Sequence, residues 1–269
     1  MAKLTWNQIT NHNPKTRPLV MAHRGASDEL AENTLGAFTR ALAQGADMLE
    51  TDIRFTHDNV IVIMHDGAVD RTTDGYGAVA DMSIGEFKRL KARWAPMMLP
   101  KSGPPPQPPA SALAVPAEPP PTLEELLQIT HGEVPLGLEL KDDRFLTPRD
   151  AQQLLDLLAK YNALDNTGLL SFSLARLQTF RPLAPKLSLG WITMSNPFPL
   201  AATEFIGPFY PILYANPLYA VWARRLGRIV CPLDIAPEPR LGYYRLLGIT
   251  VVMTNHPAPT IAVLDRLYR

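Results

Sequence analysis

The chain has 269 residues, 46% hydrophobic and 19% charged, with 26 Lys and Arg balanced by 26 Asp and Glu. A formal net charge of zero excludes a surface built to wrap a polyanion, so nucleic acid is not an expected partner. No run of about 18 apolar residues is available to span a bilayer. The lone Cys231 cannot pair internally, and the polar start MAKLTWNQITNHNP lacks a signal-peptide core. A cytoplasmic protein is therefore expected.

From the N-terminus, apolar runs recur at residues 17–23, 48–55, 60–65, 134–141, 168–172, 187–193, 212–215, 228–233 and 250–254. Each reads as a strand. Helical patterns fall between most of them. Residues 35–42 carry apolar groups at helical spacing, with Asn33 or Thr34 as cap and Gly45 past the end. Ser83 with Glu86 and Thr122 with Glu125 fit capping boxes, and Thr147 before Pro148 opens another helix. The four residues 56–59 are too few for a crossover, so strands 48–55 and 60–65 form a hairpin-like pair. This alternation predicts a single α/β domain over 1–269, a TIM-type (β/α)8 barrel with one irregular hairpin-like unit. An open doubly wound sheet is the second choice. Residues 75–121 read as an insertion after the third strand, Pro-rich from 96 to 121 and excluded from helix and central strand. It is either a solvated connector or a lid or docking strip beside the site.

Polar groups sit where buried strands should be apolar. Side chains alternate faces along a strand, so Glu50 and Asp52 project together in MLETDIRF, as do Glu139 and Lys141 in LELK. Leu49, Ile53, Leu138 and Leu140 are left for the opposite face. Taken singly, each acid fits a salt bridge to a nearby Arg. Three that converge repel one another unless a cation lies between them. All-oxygen ligation favours Mg²⁺ or Ca²⁺ over zinc. His23 and His65 each close an apolar run, where a lone His more often packs than reacts; the pair suits a general acid and a general base. Arg24 offers a planar fork to a phosphate and Lys141 a point charge. Strand C-termini meet at one mouth of a barrel, so these groups are expected to line a charged pocket for a phosphate ester.

HRG from His23, AENTLGAF from Ala31, GADMLETD from Gly45, HD from His65, RTTDGYG from Arg71 and LELK from Leu138 together resemble the glycerophosphodiester phosphodiesterases. Further on the likeness thins to PTLEE from Pro121, Ser171 with Phe172, and GITVVMTNHP from Gly248. The resemblance implies a metal-dependent barrel that hydrolyses glycerophosphodiesters to sn-glycerol 3-phosphate and an alcohol. It implies His23 and His65 as the acid–base pair, Glu50, Asp52 and Glu139 as metal ligands, and Arg24 and Lys141 on the phosphate. The attacker is water or the substrate's own glycerol hydroxyl.

Three positions depart from the family pattern. Ala31 stands where a proline commonly precedes ENT, residues 229–234 (IVCPLD) stand without the aromatic where the family's late strand ends in an aromatic followed by TVN, and Asn255 follows Thr254 where Asp is usual. None of the three is expected to touch the metal or the histidines. The aromatic, proline-broken segment 198–222 is expected to pack the barrel. Alternatively it forms an apolar rim that receives an acyl chain or makes weak contact with a membrane surface. The substrate would then be a lysophospholipid and the activity of lysophospholipase D type. A reading of a different class is a non-catalytic phosphodiester- or lipid-binding protein.

Overall fold

Among the described residues nine strands form one sheet: β1 (Leu19–His23), β2 (Met48–Phe55), β3 (Ile61–Ile63), β4 (Leu136–Leu140), β5 (Thr167–Ser171), β6 (Ser188–Thr193), β7 (Phe205–Pro208), β8 (Ile229–Val230) and β9 (Val251–Thr254). The computed structural model describes residues 5–10, 12–96 and 106–269. Residues 97–105 of the Pro-rich stretch and 1–4 of the N-terminal segment lie outside the described residues. Eight strands run parallel in the order β8-β7-β6-β5-β4-β2-β1-β9. β3 pairs antiparallel with β2, Ile53 opposite Ile63. This is the expected (β/α)8 barrel with its hairpin-like unit. It is nearly closed. Among the described residues no ladder joins β8 to β9, and the seam is held where the Asn255 amide donates to the Ile235 carbonyl at 2.8 Å.

Alternation explains both faces of each strand. Outward residues such as Leu49, Ile53, Leu138, Leu140 and Leu169 pack with Phe38, Leu154, Leu158 and Leu177 of the surrounding helices. Inward residues change character along the strand. Met21, Met48, Leu170, Phe205 and Met253 form an apolar interior near the strand starts. Further along, His23 and Glu50 sit opposite each other, as do Asp52 and Glu139. The apolar floor is plugged by Trp6, buried, with its indole Nε1 donating to the Leu136 carbonyl at 3.1 Å and its ring edge-on to Phe205. Gly168 makes room for it, since a Cβ there would come within 2.6 Å of the indole. Trp6→Ala is expected to cost about 3–5 kcal/mol of stability, to be read as a shift in the denaturant midpoint.

Local signals hold where their chemistry is short-range. The helix Leu35–Ala43 is capped by Thr34, whose hydroxyl accepts from the Ala37 amide, and both capping boxes form. Thr147 caps the helix Pro148–Lys160, with the proline in its first turn. Two expectations are corrected. Residues 212–215 belong to a helix, Pro211–Ala215, opened by its proline. The strand in that part of the barrel is Phe205–Pro208 instead; four apolar residues do not distinguish strand from helix by periodicity. The Pro-rich stretch also holds one helical turn, Ala110–Leu113, in its proline-free part. That turn is tied down: the Ser111 hydroxyl donates to the Glu29 carbonyl, and the Glu118 carboxylate accepts from the Gly36 amide. Among the described residues no helix is long and apolar enough to cross a membrane.

Candidate active site

Two neighbouring strands bring the three acids together. Asp52 and Glu139 are lateral neighbours on β2 and β4, and Glu50 lies two residues back on β2, opposite Gly137. All three are buried, and one oxygen from each lies within 4.8 Å of the others. Lys141 Nζ sits 2.7 Å from Glu139 and 3.3 Å from Asp52 Oδ1; Arg24 Nε sits 3.0 Å from Asp52 Oδ2. Neither approach to Asp52 is aimed as a hydrogen bond, so Oδ1 is buried without a donor. Two cations facing three carboxylates leave a negative charge unmatched. Glu50 expresses it: burial and the charge of Asp52 drive its carboxyl well above the usual range. Burial raises Glu139 as well, against the pull of Lys141. Burial also opposes charge on Asp52, but Arg24 and Lys141 outweigh it and hold that carboxyl below the usual range. An all-oxygen set with an orphaned carboxylate oxygen and excess negative charge fits a hard divalent ion.

His23 ends β1 at the same mouth, 4% exposed. Its Nε2 lies 3.9 Å from Glu50, and its Nδ1 is 2.7 Å from Asn255 Oδ1. Burial, then Arg24, push its pKa down to about 3, so the ring is neutral. His65 follows β3, half-buried, with Nδ1 2.6 Å from Asp66 Oδ1. It too is lowered, by burial and by Arg24 and Lys141, against the pull of Asp52. Both imidazoles thus feel the same Asp52 and Arg24.

The loop after β1 is shaped for this. Arg24 adopts a left-handed φ of 58° and Gly25 one of 82°. A Cβ on Gly25 would meet the Ala37 backbone at 2.6 Å, so only glycine lets the helix Leu35–Ala43 approach. The turn sends the Arg24 side chain to Glu32, 2.9 Å away. Arg71 clamps the other side of Glu32 at 2.7 and 2.8 Å and reaches Asp66 at 2.6 Å. One network of charge-assisted bonds therefore runs from His65 through Asp66, Arg71 and Glu32 to Arg24, and an ion pair carries it on to Asp52.

All seven predicted site residues lie at this mouth or line it. Three others were not singled out for it. Asn33 was weighed only as a helix cap; it has φ 59° and donates to Asp52 at 2.9 Å while accepting from Thr51 at 2.8 Å. Glu32 and Arg71 lay within quoted motifs without a role. The expectation that Asn255 stays clear of the histidines is corrected, since it is the nearest partner of His23. Removing it leaves the buried imidazole without an orienting group. Asn255→Ala is expected to lower kcat roughly tenfold, the worth of about one hydrogen bond, with KM little changed in steady-state kinetics.

A (β/α)8 barrel with charged side chains gathered at the C-terminal ends of its strands has the architecture of a barrel enzyme. Residues 23–202 match the glycerophosphoryl diester phosphodiesterase family. The "Probable glycerophosphodiester phosphodiesterase 1" of Mycobacterium tuberculosis H37Rv is 30% identical over 92% of this chain and 93% of its own. The glycerophosphodiester phosphodiesterase of Caldanaerobacter subterraneus subsp. tengcongensis is 34% identical over 65% of this chain and 66% of its own. The fold is shared with an Oleispira antarctica phosphodiesterase solved with its product sn-glycerol-3-phosphate, at TM-score 0.75 and 23% identity, covering 92% of this chain and 97% of that one. The chain belongs to the glycerophosphoryl diester phosphodiesterase family.

Proposed function

We propose that this chain hydrolyses glycerophosphodiesters to sn-glycerol 3-phosphate and an alcohol. The observation that carries the reading is the convergence of Glu50, Asp52 and Glu139 within 4.8 Å, at the mouth that also holds His23, Arg24 and Lys141. These three acids are assigned as ligands of a divalent cation, Mg²⁺ or Ca²⁺. Bound there, such an ion supplies Lewis-acid stabilisation of charge on the phosphoryl oxygens.

Every other part of the reaction falls to side chains. Arg24 and Lys141 face the phosphate as its counter-charges. One neutral imidazole of the His23–His65 pair takes the proton from the attacking hydroxyl, of water or of the substrate's glycerol. The other gives a proton to the departing alkoxide. A neutral ring supports the role of base, because its Nε2 can accept while its Nδ1–H is held by Asn255 or Asp66 Oδ1; the ring that acts as acid carries a second proton, on Nε2, which it gives up as the alkoxide departs. The network through Arg71 and Glu32 keeps Arg24 turned toward Asp52. Residues 75–121 are assigned as an insertion beside the mouth; its Arg93 donates to the Asp70 and Arg71 carbonyls next to this network. The one cysteine, buried, supports a reducing, cytoplasmic setting.

Release of sn-glycerol 3-phosphate from a panel of soluble glycerophosphodiesters, with Mg²⁺, with Ca²⁺ and with chelator, tests the reading. Product should form only with metal. Substrate bound but never cleaved under any of these conditions would replace the enzyme with a binding protein. A second substrate class is favoured by Phe172 and Met194, both exposed just past the mouth ends of β5 and β6. They offer an apolar path for an acyl chain, and higher turnover of a lysophospholipid than of glycerophosphocholine would select it.

A further inference from the structure

Between Met194 and Leu226 lie seven of the fifteen exposed large apolar side chains among the described residues. Their arrangement is ordered. Leu218, Trp222 and Leu226 stand four residues apart along the helix Tyr219–Arg225 and its two ends, 55%, 38% and 50% exposed. The Phe198 ring stacks on Trp222 at 6.2 Å and 13°. Leu200 follows it, 71% exposed. The loop that carries Phe198 and Leu200 is lashed to the wall: Asn216 donates to the Pro197 carbonyl at 2.9 Å, and the Arg228 guanidinium to that of Pro199. The inner side of the same helix is filled by Tyr219, Ala220 and Ala223. The outer apolar strip is therefore a rigid surface that adds nothing to barrel packing.

Charge completes the pattern. From residue 205 to 233 the chain carries Arg224, Arg225 and Arg228 and not one Asp or Glu, in a protein whose net charge is zero. Arg224 and Arg228 donate to backbone carbonyls, and among the described residues none of the three meets a carboxylate. A second copy of this chain is a poor occupant, because a two-fold contact would bring both sets of arginines into one interface with no Asp or Glu from residues 205–233 to meet them. A partner must accept aromatic and leucine side chains and present negative charge. We propose that this face docks on an anionic membrane surface, with Trp222 and Phe198 at headgroup level and the arginines on lipid phosphates. The strip begins beside the mouth, since the segments bearing it leave the C-terminal ends of β6 and β7 at Thr193 and Pro208. From there the helix Tyr219–Arg225 carries it along the wall to the start of β8 at Ile229, so docking lays the barrel wall on the lipid.

Co-flotation of the full chain with phosphatidylcholine vesicles, with and without phosphatidylglycerol and at two salt concentrations, tests the proposal without reference to turnover. The wild type should float only with the anionic vesicles, and less at high salt. Each arginine removed, in R225A and then R224A/R225A, should lower the partition coefficient about fivefold. L218N/L226N should lower it at least about tenfold. All variants should melt like the wild type and hydrolyse a soluble diester at its rate. Absence of flotation, flotation of both double variants at the wild-type level, or a dimer in sedimentation that L218N/L226N dissolves would each overturn it.

Discussion

His23→Ala and His65→Ala are each expected to lower kcat by about 10²–10⁴-fold, the usual worth of a positioned acid or base. Stopped or coupled assays of glycerol 3-phosphate release measure this directly. The double variant should fall little further than the worse single one, because the two proton transfers serve a single displacement. The environments make the comparison informative. His23 is buried and leans on an amide, whereas His65 is half-buried and leans on a carboxylate that Arg71 also holds. His65→Ala removes a ring near the surface and should leave the melting temperature close to wild type. His23→Ala opens a small buried space and should cost measurable stability. His23→Asn is therefore the matched control, predicted to recover stability without recovering rate. Turnover near wild type in both single variants would remove the histidines from the chemistry.

Divalent metal is expected to raise the melting temperature by about 5–10 °C at a hundredfold excess over its dissociation constant. EDTA should reverse the rise. The sign follows from Glu50, whose carboxyl lies well above its usual range because burial and Asp52 oppose its charge. A carboxyl raised in the folded state stabilises fully below its unfolded value and loses that contribution as pH climbs through the folded one. At neutral pH without metal it is therefore a liability. Glu50→Gln should consequently melt no lower than the metal-free wild type, yet show little or no shift on adding Mg²⁺ or Ca²⁺. Glu139→Gln should lose the shift as well. Equal metal-induced shifts in wild type and both variants would place the ion elsewhere. Differential scanning fluorimetry across both metals is sufficient, and it reads binding rather than turnover.

The residues of the mouth were legible in advance because strand alternation is a strict rule. Glu50 with Asp52, and Glu139 with Lys141, had to share a face once their runs were recognised as strands. The helix caps were legible for the same kind of reason, since a Thr hydroxyl and an amide three residues on interact locally. Asn255 was misjudged because its contact with His23 spans 232 residues and depends on β9 pairing beside β1, which no local pattern reveals. The sequence leaves Asn33 and Thr34 as alternative caps because Asn and Thr are both good caps; only the fold shows Thr34 doing that while Asn33 turns inward at positive φ. The exchange of strand for helix at residues 205–215 has a similar origin. Two short apolar quartets compete there, and the proline that starts the helix is also compatible with a turn.

Asn255 occupies two positions at once. Its backbone amide fastens the seam between β8 and β9, and its side chain holds the ring of His23. Slow hydrogen exchange at that single amide should accordingly mark the population competent for turnover. Any ligand, temperature or substitution that frees the amide should loosen the imidazole in the same event, so breathing of the scaffold and orientation of the ring share one gate.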